Sequence, residues 1–202
     1  MKIRPASRPR VVPAVTPAQD VDAAAKHSQE VALMERIAAG DKAAFSEFLS
    51  RYLVAIVDFA QRYVKQRVDA EDVAQEAFIR VWRKAPSWRA QQATPRSWLY
   101  RIAYHLCIDA LRRRQPHDSL PDAEDPADPN PTPEENALRQ AHMERLDRAL
   151  RALPERQRTA IILCAYRGLG NKEAAAALDI SVEALESLLA RGRRQLRQTL
   201  GL

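Results

Sequence analysis

Trp98, Tyr100, Arg101, His105, Arg112 and Arg113 crowd into one stretch, PRSWLYRIAYHLCIDALRRR. Rings stack on unpaired bases and guanidiniums neutralise phosphate, so aromatics interleaved with arginines suit a single-stranded nucleic acid. The same tyrosines could instead be half-buried packing residues. Upstream, DAEDVAQEAFIRVWRK sets Asp72 and Glu76 one helical turn apart, with Gln75 and Ile79 beside them. Carboxylates at that spacing could work as acid and base, dock onto a partner, or form a plain solvated face. A third set, Glu183, Ala184, Ser187, Leu188, Arg191, Arg193 and Arg194, lies in SVEALESLLARGRRQLR. It offers acceptors and an apolar side chain to base edges, with arginines within reach of phosphates. No glycine-rich phosphate loop, nucleophile motif or metal-ligand spacing is present, so neither catalysis nor a metal or cofactor is expected.

Helices must position these groups. Val73, Ala77 and Val81 repeat at four, as do Ala74, Phe78 and Trp82, which predicts an amphipathic helix with Asp69 as its cap. Thr94-Pro95 predicts the start of the arginine-ended helix, with Trp98, Leu99, Ile102, Ala103, Leu106 and Ala110 inward. Tyr100, Arg101, Tyr104, His105, Ile108 and Arg112 then fall on other arcs. Before these, Val31, Leu33, Met34 and Ile37 mark a short helix ending at Gly40. Asp41 can cap a following helix that is apolar from Ala44 to Val64 and dense enough to be the centre of a first domain. In the C-terminal part, Thr132-Pro133-Glu134-Glu135 reads as a capped helix start, and Pro154 opens another helix. Asn171 can cap NKEAAAAL, Asp179-Ile180-Ser181 makes a turn, and Ser181 can cap the last helix. Short helix, tight turn and longer basic-ended helix is the pattern of a helix-turn-helix, with Val182, Leu185, Leu189 and Leu196 inward.

The chain of 202 residues is 46% apolar and 29% charged, enough for one or two domains with a real core. Its net charge of +6 and pI near 9.6 suit a polyanionic partner. Cys107 and Cys164 stand alone in apolar helical contexts and read as free thiols in a reducing compartment. Residues 1–28 are interrupted by prolines at 5, 9, 13 and 17, which predicts a disordered tail with no signal peptide or membrane span. Residues 115–132 hold five prolines and five acids with no Lys or Arg, which predicts an extended acidic linker between two helical domains.

DAEDVAQEAFIRVW followed by WLYRIAYHLCIDALRRR resembles region 2 of the bacterial sigma-70 family. LPERQRTAIILCAYRGLGNKEAAAALDISVEALESLLARGRRQLR resembles its region 4, and the short length resembles the extracytoplasmic-function (ECF) group. The resemblance implies an all-α protein: region 2 over 29–114, a flexible acidic linker over 115–132, and a region 4 helix-turn-helix over 133–200. It implies that Asp72, Gln75, Glu76 and Ile79 contact the β′ clamp helices of core RNA polymerase, and that the second domain meets the β flap. It implies that Trp98, Tyr100, Arg101, His105, Arg112 and Arg113, with the loop 87–96, hold the melted −10 element. Glu183, Ala184, Ser187, Leu188, Arg191, Arg193 and Arg194 would then read the −35 duplex. An anti-sigma factor as partner, a cytoplasmic and polymerase-bound location, no direct membrane insertion and no enzymatic activity are also implied.

Two departures from the family pattern bear on base preference. His105 stands where Asn is common, and neutral imidazole offers a donor and an acceptor in different geometry. Glu186 and Leu188 stand where Lys and Arg are common, so like charge near phosphate weakens attraction, and Leu188 reads as exposed. The alternative function is an autonomous helix-turn-helix regulator of duplex operators, which leaves residues 69–114 without a role.

Overall fold

A computed structural model describes residues 17–64, 66–113 and 143–201, and no strand occurs among them. Helix α1 spans Pro17–Ala38, α2 Lys42–Gln61, α3 Arg67–Lys84 and α4 Pro95–Arg113, with a 3-10 turn at Ala85–Ser87. In the second half, α5 occupies 143–151 and α6 spans Glu155–Ile161, running on into a π-helical turn at Ile162–Tyr166. Helices α7 (Asn171–Leu178) and α8 (Val182–Leu200) complete the chain. The all-α class and the two helical domains follow the sequence reading. The expected linker at 115–132, the helix start at Thr132 and the first part of the expected tail lie outside the described residues.

Local chemistry explains most helix ends. Gly40 closes α1 at φ 87°, a backbone that costs glycine nothing. Asp41 caps α2 by accepting from the amides of Ala43 and Ala44 at 2.8 and 3.0 Å, while Arg36 donates to its other oxygen. The Ala44 amide, then Arg36 and last the Ala43 amide, hold the Asp41 carboxyl below its ordinary value. Thr94 accepts from the Ser97 amide at 3.1 Å and starts α4. Ser181 accepts from the Ala184 amide at 3.2 Å and starts α8.

Three expectations need correction. Helix α1 begins at Pro17, well ahead of Ser28. Pro17 takes the first helical position, where its missing N–H costs nothing, and an alanine-rich run follows. Helix α3 begins at Arg67 with Gln66 before it, so Asp69 sits inside the first turn instead of capping. An Arg67–Glu71 ion pair at 2.9 Å supports the added turn. Helix α7 is preceded by Gly170, not capped by Asn171. The Gly170 amide donates to Glu173 at 3.2 Å, and Asn171 donates across to Glu186 of α8 at 3.2 Å.

The first domain packs α1, α3 and α4 around α2. Phe48, Ile56, Phe59, Phe78 and Leu99 are buried, and Phe48 meets Tyr52 and Phe78 at ring-centroid distances of 4.8 and 6.2 Å. Each such ring stabilises the fold by about 1.5–3 kcal/mol relative to exposure. The buried Tyr52 hydroxyl donates to Glu30 of α1. In the second domain α6 crosses α8 closely at Gly192. A Cβ there would stand 2.8 Å from Ile161 Cδ1 and 3.4 Å from Gln157 Cβ. Leu185 and Leu189 fill the core beside it, as their spacing predicts.

The two halves are not held apart. Helix α4 lies against α7, and one apolar cluster runs through both domains. Tyr100 and Tyr104, expected off the inner face, are buried between Phe59 and Tyr63 on one side and the second domain on the other.

Candidate functional site

The acidic surface is built by α3. Its apolar stripe, Val73, Ala74, Ala77, Phe78 and Val81, is buried against α2 and α4, which turns the remaining arc to solvent. Asp72 and Gln75 are exposed; Glu76 and Ile79 are half-buried. Glu76 accepts from Arg80 at 2.7 Å, a surface pair between side chains about two-fifths exposed. The four residues form two adjacent rows, 72 with 76 and 75 with 79, as helical geometry requires.

Gln75 and Ile79 also line a groove of ≈ 530 Å³ between α2 and α3. Its other wall is Leu53 and Val54, with Arg67 and Glu71 at one end. Val54 is 70% exposed and Leu53 37%. In the sequence both fall inside the apolar run from Ala44 to Val64. The signal was available: a helix apolar on nearly all sides has more apolar face than one domain can cover.

The α4 residues divide. His105, Arg112 and Arg113 are exposed, and Arg113 donates to the Asp109 carbonyl at 3.3 Å. Trp98 is half-buried and packs on the core. Arg101 lies 3.1 Å from Asp179. Tyr100 is only 1% exposed and sits edge-on to Phe59 at 5.3 Å. In this arrangement Tyr100 packs and does not face a ligand. Burial, then Glu155, pushes the Tyr104 hydroxyl up to about 12. The preceding loop is pinned by Trp88, whose indole N–H donates to the Ala93 carbonyl at 3.1 Å.

Helix α8 turns Glu183, Ala184, Ser187, Arg191, Arg193 and Arg194 to solvent. The Glu183 carboxyl is held below its ordinary value by its own amide and the Ser181 hydroxyl. Leu188 is half-buried and packs on the core, which corrects the reading of it as exposed. Cys107 is buried and Cys164 half-buried, both free thiols. Among the described residues no cluster of His, Cys, Asp and Glu could hold a metal, and no helix is long and apolar enough to cross a membrane.

Residues 48–117 match the family model Sigma-70 region 2, and residues 143–196 match Sigma-70, region 4. The two halves just described are these two modules in order, and the chain belongs to the bacterial sigma-70 family of RNA polymerase sigma factors. Its relatives place it in the ECF group. It is 36% identical to the ECF RNA polymerase sigma factor SigE of Mycolicibacterium smegmatis, over 81% of this chain and 65% of that protein. It is 34% identical to the ECF RNA polymerase sigma-E factor of Haemophilus influenzae, over 85% of this chain and 95% of that one. Among solved structures, CnrH in complex with the cytosolic domain of CnrY superposes with a TM-score of 0.67 at 26% identity, covering 85% of this chain and 97% of CnrH.

Proposed function

We propose that this sigma factor docks on core polymerase through the outer face of α3, and that α4 and α8 supply the promoter contacts. One observation carries the reading: Gln75 and Ile79, with Glu71 and Asp58, line an apolar groove that no other described segment fills, and Asp72 is exposed on the same helix. An apolar groove edged by carboxylates and an amide has the composition of a protein-docking surface. The groove extends the polymerase face to Leu53 and Val54.

Arg112 and Arg113, with His105 and Trp98, contact the unpaired −10 strand, and the flipped base is held in the loop 87–96. Extruding a base costs about a few kcal/mol, which stacking and charge contacts in that loop and helix have to supply. Glu183, Ala184 and Ser187 meet −35 base edges, with Arg191, Arg193 and Arg194 on phosphates. Each DNA contact is weak alone. Polymerase fixes their spacing and makes the second contact intramolecular, which raises apparent affinity by roughly 10²–10⁴. An anti-sigma factor is a further partner in this reading; that a protein can hold this fold is supported by CnrH, solved in complex with the cytosolic domain of CnrY.

Transcription of genomic fragments by purified core polymerase, with and without this chain, tests the reading. Selective initiation only in its presence supports it. Specific duplex binding without polymerase, and no effect on initiation, would replace it with an autonomous regulator.

A further inference from the structure

The exposed face of α8 is divided by charge. Glu183 and Glu186 stand near its start, and Arg191, Arg193, Arg194 and Arg197 follow from its middle onward; all six are exposed. Glu183, Glu186, Ser187 and Ala190 recur at the spacing of one helical stripe, and all four face solvent. An acid at the start of a helix is ordinary, because the dipole there favours negative charge. That accounts for Glu183, whose carboxyl lies against its own amide and the Ser181 hydroxyl. It does not account for Glu186, which stands beyond the first turn, where the dipole has faded. Glu186 is held from another helix instead. The Asn171 side-chain amide, at the start of α7, donates to Glu186 Oε1 at 3.2 Å. The second oxygen of Glu186 has no partner among the described residues.

The two helices joined by this bond are the pair that a helix-turn-helix brings to a duplex. A recognition helix turns its N-terminal residues toward base edges in the major groove. Glu186 then goes toward the bases, while the arginines further along stay with phosphates. A carboxylate among phosphates weakens binding at every sequence unless it meets a donor, and the major groove offers few. Cytosine presents its N4 amino group alone, and adenine sets its N6 amino group beside the N7 acceptor. Guanine presents acceptors only, and thymine an acceptor and a methyl group. With one oxygen engaged by Asn171, the carboxylate has a single acceptor to offer. That matches the cytosine edge and is repelled by the guanine and thymine edges.

We propose that Glu186, held by Asn171, is a specificity residue of this sigma factor: its second oxygen accepts from a cytosine amino group in the −35 duplex and excludes guanine and thymine at that place. This rests on the assignment of α8 to the −35 element made above. Asn171 is a positioning residue that acts through Glu186. A wrong base loses a bond and adds a repulsion, so the acid that lowers attraction to DNA in general sharpens the choice of site.

The test uses the full chain, core polymerase and a promoter recovered from the transcription of genomic fragments. Its −35 positions are varied one at a time in templates barcoded within the transcribed region, and sequencing the transcripts against the input gives the base preference at each position. At one position the parent should favour a G·C pair in one orientation by about tenfold, with cytosine on the strand that α8 faces. Glu186→Ala should flatten that position alone to within about twofold. Glu186→Gln keeps the shape and the Asn171 bond, and should move the preference to adenine on the same strand, because an amide meets N6 and N7 together. Asn171→Ala should lower the cytosine preference to about threefold and leave the other positions as they were. Melting of all three variants should match the parent, since both side chains are exposed. A cytosine preference that survives Glu186→Ala overturns the proposal, and so does an Asn171→Ala chain as selective as the parent. Flattening of every −35 position together also overturns it, since the Asn171–Glu186 bond would then be a structural tie only. A parent that responds to −35 changes but favours no G·C pair sinks the role of Glu186 alone; a parent indifferent to every −35 change sinks the assignment of α8 as well.

Discussion

Reversing the acidic face of α3 with Asp72→Arg and Glu76→Arg should remove polymerase binding while leaving the fold in place. Asp72 is exposed and has no ion pair among the described residues. Glu76 is paired only with Arg80 on the same helix, and both side chains are about two-fifths exposed. A surface pair of that spacing stabilises by about 0.3–0.5 kcal/mol, and facing Arg80 with a second cation costs a similar amount. The fold therefore loses at most about 1 kcal/mol, a melting shift of roughly 2–4 °C for a chain of this size. Close charge pairs across an interface couple by about 1.5 kcal/mol or more each. Two of them account for about 3 kcal/mol, or roughly 150-fold in affinity for core polymerase. Titration of labelled protein with core polymerase, beside a thermal melt, reads both quantities. A variant that melts normally and binds core as before would refute the assignment of this face.

Arg112→Ala with Arg113→Ala should leave core binding and melting unchanged, since both side chains are exposed at the end of α4. Reactivity of unpaired promoter thymines should fall, and the log–log salt slope of open-complex formation should drop by about 1.4 if each arginine meets one phosphate of a single strand. Phe48→Ala should cost about 3–5 kcal/mol in urea unfolding, because the ring is fully buried between Tyr52 and Phe78. Gly192→Ala asks only the flexible end of Ile161 to move and should stay within about 1 kcal/mol of the parent, helped by better helix propensity. Gly192→Leu should lose about 1–3 kcal/mol by overpacking the crossing of α6 and α8. The Asp41 carboxyl titrates below its ordinary 3.8 in the folded chain, so its contribution is present above that pH and is lost as pH falls through the depressed value. Asp41→Asn should therefore flatten the acid side of the stability profile, measured as unfolding midpoints from pH 6 down to about pH 2.

Much of the local structure could be read from residue order because its causes are local. Asp41, Thr94 and Ser181 cap helices within three residues of themselves, and the α3 stripe of Val73, Ala77 and Val81 needs only the helical period. Asn171 falls one place inside the helix it was expected to cap, and Pro17, taken with the prolines before it as a breaker, instead opens a helix. The seam between the two halves was illegible for a different reason. Tyr100, Tyr104, Arg62 and Thr159 are brought together by contacts between distant segments, such as the 2.7 Å bond from the Tyr63 hydroxyl to Thr159. No periodicity within one helix encodes such a meeting. Polar residues on α4 therefore looked like a solvent-facing arc when they face another domain. The side chains proposed to meet polymerase were partly legible: acids at 72 and 76 announce themselves, whereas Leu53 and Val54 are hidden among apolar neighbours until α2 is seen to have an uncovered side.

The π-helical turn at Ile162–Tyr166 winds one more residue into a turn than an ordinary helix does, through bonds that reach five residues instead of four. Five residues there cover about the rotation that four would cover elsewhere, so the extra one is absorbed without redirecting the chain beyond it. Tyr166, at the end of this turn, keeps its ring 4.7 Å from the Arg62 guanidinium. Deleting one residue of the five would close the turn to ordinary winding and leave the chain after it pointing nearly as before, so the bulge is a place where this backbone tolerates a change of length.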